Sequence, residues 1–236
     1  MNNKHGIIGN PPLPYPIYER LFNFMDNVLP NFRVHRKDKY GNLVTSEDAI
    51  TEDLSDFLDS EQESLKQDPN YSFKFTNQSQ KKTDIGVKWG RGYTAYTYNR
   101  EPFCWVEAKR LPTPDVEGKS RDEREYVIVS QEKINGKKKF KGNGGIQRFK
   151  QGKHAPHLDY SIMIGYIQND NSIDYWFSKI NTWITELANA NNEFWSNEDC
   201  LNKYFSNKCD RFLSIHKRKD KVPITLHHYW IKLNKK

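Results

Sequence analysis

The amino-acid sequence predicts a mixed α/β fold, with one central sheet flanked by helices and a β-hairpin at the C-terminal end. Three observations carry this expectation. Segments with helical period alternate with segments of strand period, an order that builds mixed sheets. The run Phe103-Cys104-Trp105-Val106 leads without a polar break into Glu107-Ala108-Lys109, as a buried central strand does. Two strand-like runs, Phe212 to Arg218 and Pro223 to Leu233, flank a short charged turn. A chain of 236 residues can bury one sizeable core. A Pro-rich arm over residues 1–16 and a single domain over residues 17–236 are therefore expected.

The segment Gly9-Asn10-Pro11-Pro12-Leu13-Pro14-Tyr15-Pro16 excludes helix and central strand. Helical signal follows from Ile17 to Val28 and is closed by Pro30. Ser46 to Glu63 is an amphipathic helix capped by Thr45 or Ser46. Its core face carries Ile50, Leu54, Phe57, Leu58 and Glu61, and its solvated face Asp48, Glu52, Asp56, Asp59 and Glu63. Glu47 breaks this division by lying on the core side of the first turn. Interaction with the helix N-terminus, worth about 0.3–1 kcal/mol, explains it as well as a functional role does. Tyr71, Phe73 and Phe75, then Ile85, Val87 and Trp89, alternate with polar residues and predict two strands. Beyond the Glu107 strand, Glu125 to Val129 reads as a strand and Gly142-Asn143-Gly144-Gly145 as a loop opening a short helix, Ile146 to Gln151. Asp159 to Gln168 reads as a strand. Ile173, Trp176, Phe177, Ile180, Ile184 and Leu187 recur at helical spacing and place a long helix whose aromatics are core.

No apolar run approaches the 18 residues that a membrane helix needs, and residues 1–16 contain nothing like the apolar region of a secretion signal. A cytoplasmic protein with no membrane partner is expected. The three cysteines, Cys104, Cys200 and Cys209, form no CxxC pair and read as reduced thiols; Cys200, Cys209 and His216 fit no familiar zinc spacing. A net charge of +7 comes from clustered lysines, Lys137-Lys138-Lys139-Phe140-Lys141 and Lys217-Arg218-Lys219-Asp220-Lys221. Such clusters suit a polyanion, although solvated loop tips produce the same pattern.

Glu-x-Lys occurs twice, and context separates the copies. Glu117-Gly118-Lys119 sits in a Pro/Gly/Asp stretch with no strand before it, whereas Glu107-Ala108-Lys109 ends the apolar run. Side chains alternate across a strand, so Glu107 and Lys109 share a face about 7 Å apart. Buried charges must be paired or bound to something. A plain ion pair would satisfy that requirement. Asp84, an acid at the head of the preceding strand, adds a second carboxylate. Two converging carboxylates suit Mg²⁺ or Mn²⁺, and a nearby lysine can position water and stabilise charge developing at phosphorus.

Asp84, then Glu107-x-Lys109 on the next strand, after an acidic helix, resembles the PD-(D/E)xK nuclease superfamily over roughly residues 45–170. The resemblance implies a restriction-endonuclease-like mixed sheet. In it Asp84 and Glu107 would bind the divalent metal, Lys109 would serve the water nucleophile, and Glu47, or Glu52 if the helix turns otherwise, would complete the acidic set. Thr83 stands where the family often has Pro, a position that supplies a bend and no ligand. The family also places a helix with a Gln and basic residues after this strand, and Gly144-Gly145-Ile146-Gln147-Arg148-Phe149-Lys150 is similar to it. Gln147 would position substrate or the lysine. Lys138, Lys139, Lys141, Arg148, Lys150 and Lys153 would contact nucleic acid, and the glycine loop would offer backbone N–H groups to phosphate.

A nucleotide P-loop is excluded because Gln147 stands five residues before Gly152, where its first glycine must be, and Gly90-Arg91-Gly92 lacks a third glycine. His154, His157, His216, His227 and His228 could build a histidine nuclease, but phosphate contact or packing explains them as readily. The expectation is a metal-dependent endonuclease, with DNA favoured over RNA, suited to bacterial restriction or antiviral defence. The alternative is a non-catalytic nucleic-acid-binding subunit of a larger complex. With no recognition domain in view, a partner protein could supply target choice, and a homodimer would suit cutting of both strands.

Overall fold

The computed structural model describes residues 15–65, 73–77, 84–89, 102–112, 123–128, 131–134, 137–140, 144–190, 194–205, 208–219 and 221–233. Most of the Pro-rich arm, the second Glu-x-Lys and Lys141 lie outside them. Helices α1 (Tyr15–Val28), which takes in Tyr15 and Pro16 of the expected arm because a proline fits the first turn of a helix, and α2 (Glu47–Ser64) precede strands β1 (Phe73–Asn77), β2 (Ile85–Trp89) and β3 (Cys104–Leu111). Then come β4 (Gln131–Ile134), β5 (Lys137–Phe140), α3 (Gly145–Lys150), β6 (Tyr160–Ile167), α4 (Ile173–Asn189), β7 (Asn202–Tyr204), β8 (Arg211–Arg218) and β9 (Lys221–Lys232).

Seven strands form one mixed sheet in the order β1-β2-β3-β6-β9-β8-β7. Its centre, β3-β6-β9, is parallel, and both flanks are antiparallel. Period-2 alternation divides each central strand between two cores. Val106, Ala108, Ile162, Ile164, Tyr229 and Ile231 pack with α1 and α2 on one face. Met163, Ile167, Leu226 and Trp230 pack with α3 and α4 on the other. Glu107 and Lys109, odd-numbered on β3, therefore point to the α3 side. The C-terminal hairpin is β8 paired with β9, as expected.

The strand expected over Glu125 to Val129 is corrected: Glu123–Tyr126 is a 3-10 turn. Val127 N and Ile128 N both donate to Arg124 O at 2.8 Å. Tyr126, Val127 and Ile128 are consecutively buried in this turn. The first lysine cluster, expected at a polyanion with a solvated loop tip as the alternative, contributes Lys137–Phe140 to a separate two-stranded sheet, β4-β5. In the sequence an Asn135-Gly136 pair divides those strands, a strong hairpin signal.

Candidate active site

The antiparallel register of β2 on β3 pairs Ile85 with Val106, and one step further sets Asp84 opposite Glu107. Asp84 Oδ2 accepts the Ala108 amide at 2.6 Å, which ties the acid to the strand bearing Glu-x-Lys. Ser46 caps α2 by accepting the Ala49 amide, and this brings Glu47 to the same end of the sheet. Glu47 Oε1 accepts from Lys109 Nζ at 2.7 Å, and its Oε2 accepts the Arg110 amide at 3.1 Å. The helix-dipole account of Glu47 is thus joined by a specific partner. Glu52 is not interchangeable with it, because Glu52 faces outward in an ion pair with Arg36.

Glu107 is buried at 1% exposure within a ring of basic side chains. Arg148 Nη1 lies 2.9 Å and Lys109 Nζ 3.3 Å from its Oε1, and His154 Nδ1 lies 3.2 Å from its Oε2. The histidine approach is close but lacks hydrogen-bond geometry, so Glu107 Oε2 and both His154 nitrogens are buried without a hydrogen-bond partner. Burial alone would raise the Glu107 carboxyl. Lys109, His154 and Arg148 outweigh it and hold the group down at about 2. Asp84 behaves oppositely: burial first, and then the Glu107 charge, push it up to about 7. Burial would lower the Lys109 ammonium, but Glu107, Glu47 and Asp84 raise it, so it stays charged.

The structure redirects several residues expected at nucleic acid. Arg148 points inward to Glu107. Lys150 is corrected from an outward phosphate contact: it is 4% exposed, held 2.6 Å from Asp199 Oδ1 and 5.1 Å from the ring centres of Phe194 and Trp195. A six-residue helix turns quickly, and only Gln147 on it stays part-exposed. Lys153 is exposed. Lys138 and Lys139 lie on β5. Gly145 also has a packing reason, because a Cβ there would lie 2.5 Å from Met163 Cε and 2.7 Å from the Tyr126 carbonyl. The Gln147 amide at this helix start donates to Val127 O at 2.9 Å instead of facing a ligand.

His154 and Arg218 are the residues that sequence reasoning undervalued. Arg218, expected in a phosphate-facing cluster, is buried and donates to the carbonyls of Val222 at 2.7 Å, Ala155 at 2.8 Å and Leu158 at 2.9 Å. It thereby fixes the segment that carries His154. The signal available was its place on β8, on the same side as His216.

Beyond α3 runs a buried chain of polar contacts. Lys150 meets Asp199, whose Oδ1 is 2.7 Å from His216 Nδ1. Ser214 Oγ lies 2.7 Å from both His216 Nε2 and His228 Nε2, and Tyr126 OH joins His228 Nδ1 at 2.9 Å to Trp230 Nε1 at 3.0 Å. The Trp230 indole can only donate. The Asp199 carboxylate can only accept: burial would raise it, but His216 and Lys150 hold it down at about 2. Burial lowers both histidines into the neutral form. Every proton in the chain must then point toward Asp199, with Tyr126 donating to His228, His228 to Ser214, Ser214 to His216 and His216 to Asp199. The Asp199-His216-Ser214 sequence of contacts looks like a nucleophile relay, yet Ser214 is 1% exposed and no substrate reaches it.

The cysteines are free and do not converge. Cys209 Sγ approaches Asp26 and Cys200 Sγ approaches Thr185, while His216 is engaged with Asp199. Among the described residues no group of three or more His, Cys, Asp or Glu is arranged to hold a metal ion. No helix among them is long and apolar enough to cross a membrane. Comparison of the chain with protein-family models, with curated proteins and with solved structures finds no match to any of them.

Proposed function

We propose that this chain is a metal-dependent endonuclease with a restriction-endonuclease-like fold, hydrolysing phosphodiester bonds in nucleic acid, DNA in preference to RNA. One observation carries the reading: Asp84 and Glu107 converge from neighbouring strands beside Lys109, whose ammonium is held by Glu47. A divalent cation here would have two carboxylates as protein donors and would complete its shell with water. Glu107 Oε2 is buried with no hydrogen-bond partner, and Asp84 is pushed toward neutrality first by burial and then by the adjacent Glu107 charge, a penalty that a cation would relieve. Mg²⁺ or Mn²⁺ held by these two carboxylates would supply charge neutralisation and acidify a water molecule. Lys109 keeps its proton throughout and offers a fixed positive charge where an oxyanion develops at phosphorus. Glu47 stops that ammonium from swinging fully onto Glu107. Arg148 and His154 hold the Glu107 carboxylate in one orientation.

The test is cleavage of supercoiled plasmid, linear duplex, single-stranded DNA and RNA with Mg²⁺, Mn²⁺ or EDTA. Wild type should nick or linearise plasmid only with metal, and Lys109→Ala, assayed where circular dichroism shows it folded, should lose at least about 100-fold in rate, the scale of one removed oxyanion donor. Equal metal-dependent activity in both proteins would sink the assignment. A second reading, a non-catalytic nucleic-acid-binding subunit, is favoured by one feature: Glu107 and Glu47 are already satisfied by Arg148 and Lys109. It predicts binding without cleavage. A cytoplasmic role in restriction or antiviral defence, a partner supplying target choice and a homodimer belong to the same proposal.

A further inference from the structure

We propose that His154 is a positioning residue that aims the free oxygen of Glu107 at Asp84, an inference that rests on the metal-dependent reading above. Three independent observations carry it. The imidazole is 2% exposed, its Nε2 has no hydrogen-bond partner and its Nδ1 meets one charged group, the Glu107 carboxylate, a costly arrangement for a ring serving only as packing. Its Nδ1 stands 3.2 Å from Glu107 Oε2, the oxygen that Arg148 and Lys109 leave alone. And the backbone around it is held in an unfavourable shape. Gly152 at φ 63° turns the chain out of α3, and Ala155 at φ 47° is the one non-glycine residue at positive φ among those described. Such conformations persist only where the surroundings over-determine them, and they concentrate at functional sites.

The surroundings here are specific. Arg218 grips the carbonyls of Ala155 and Leu158, and the Lys153 and His154 amides donate to Arg148 O at 2.9 and 3.3 Å. Arg148 and His154, both against Glu107, are therefore joined through one backbone carbonyl as well. Phe149 closes the remaining side, its ring edge-on to the imidazole at 5.4 Å. The backbone on either side of His154 is thus held, Phe149 packs against the ring, and Nδ1 faces one oxygen. Partners that orient a metal-binding side chain typically change affinity by about 10–100-fold when removed.

The geometry makes a discriminating prediction. Asparagine places its amide nitrogen near the position of imidazole Nδ1, whereas glutamine reaches the position of Nε2. Mn²⁺ binding to the full chain, followed by electron paramagnetic resonance titration, should weaken about tenfold or more in His154→Leu and His154→Gln, and by less than about threefold in His154→Asn. Plasmid nicking should follow the same order. Equal Mn²⁺ affinity in wild type and a folded His154→Leu overturns the proposal. If the leucine variant fails to fold by circular dichroism, asparagine and glutamine variants of equal affinity overturn it instead. Wild type and Asp84→Asn serve as the separate arm. A wild type that binds no Mn²⁺ removes the metal reading itself and this inference with it. Binding lost in Asp84→Asn but indifferent to His154 leaves the metal reading standing alone.

Discussion

Asp84 and Glu107 are neighbours of like charge whose surroundings pull them apart, one to about 7 and the other to about 2. The asymmetry arises because the cations gather on Glu107, whereas Asp84 is pushed up first by burial and then by the Glu107 charge, with Lys109 and the Ala108 amide offsetting only part of that. An acid raised above its ordinary 3.8 contributes its full stability below that pH and loses it as pH rises through about 7. Asp84→Asn removes the penalty and keeps an oxygen for the Ala108 amide. It should stabilise the metal-free protein at pH 8 by at least about 1 kcal/mol, the gain shrinking toward pH 4, as thermal melts would read. Mg²⁺ should raise the melting temperature of wild type and leave the variant unmoved. Glu107→Ala should act in the opposite direction. It strands Arg148 as a buried charge and leaves Lys109 with Glu47 as its close partner, at a cost of about 3–5 kcal/mol in urea unfolding. A variant as stable as wild type would show that those cations find other partners.

Among the elements, the sheet centre and α2 were the most legible in the sequence, because their patterns have long periods and single solutions. The uninterrupted apolar approach to Glu107 specified a strand buried on both faces, and the alternation in Ile85-Gly86-Val87 specified its neighbour. Glu47 was legible as an oddity from helical phase alone, but its partner was not, since Lys109 is 62 residues away. The turn at Tyr126 was misread because three adjacent apolar residues satisfy a strand propensity and a buried turn equally; the bonds of the Val127 and Ile128 amides back to Arg124 decide. Arg148, Lys150 and Arg218 were misread for a related reason. A basic residue in sequence carries no mark of whether its counter-charge lies in water, on phosphate or, as for Lys150, on Asp199. The fit of β6 against β9 gives a further check at this scale. A Cβ on Gly165 would fall 2.5 Å from Trp230 Cδ1 and 2.8 Å from Leu111 Cδ1, so Gly165→Ala should cost about 1–3 kcal/mol by denaturant titration.

For the molecule as a whole, acid stability is set by opposing groups. His216, His227 and His228 are held below 6.5, first by burial, so their neutral forms belong to the folded state. As pH falls below about 6.5 the unfolded chain takes up protons that the folded one refuses, and stability declines. Asp84 works against this trend between 3.8 and about 7. The melting temperature of Asp84→Asn should therefore climb more steeply from pH 5 to pH 7.5 than that of wild type. Parallel curves would refute the opposition. The contact chain from Trp230 to Lys150 adds a consequence of another kind. It threads β9, the turn at Tyr126, β8, the turn at Asp199 and α3, and its direction permits no local vacancy: opening any member leaves a donor or acceptor stranded on the next. These five segments should consequently exchange their amide hydrogens as one cooperative unit, with matching protection at Tyr126, Phe149 and His216. The α3 that carries Arg148 to Glu107 would then open no more often than the strands at the far side of the core.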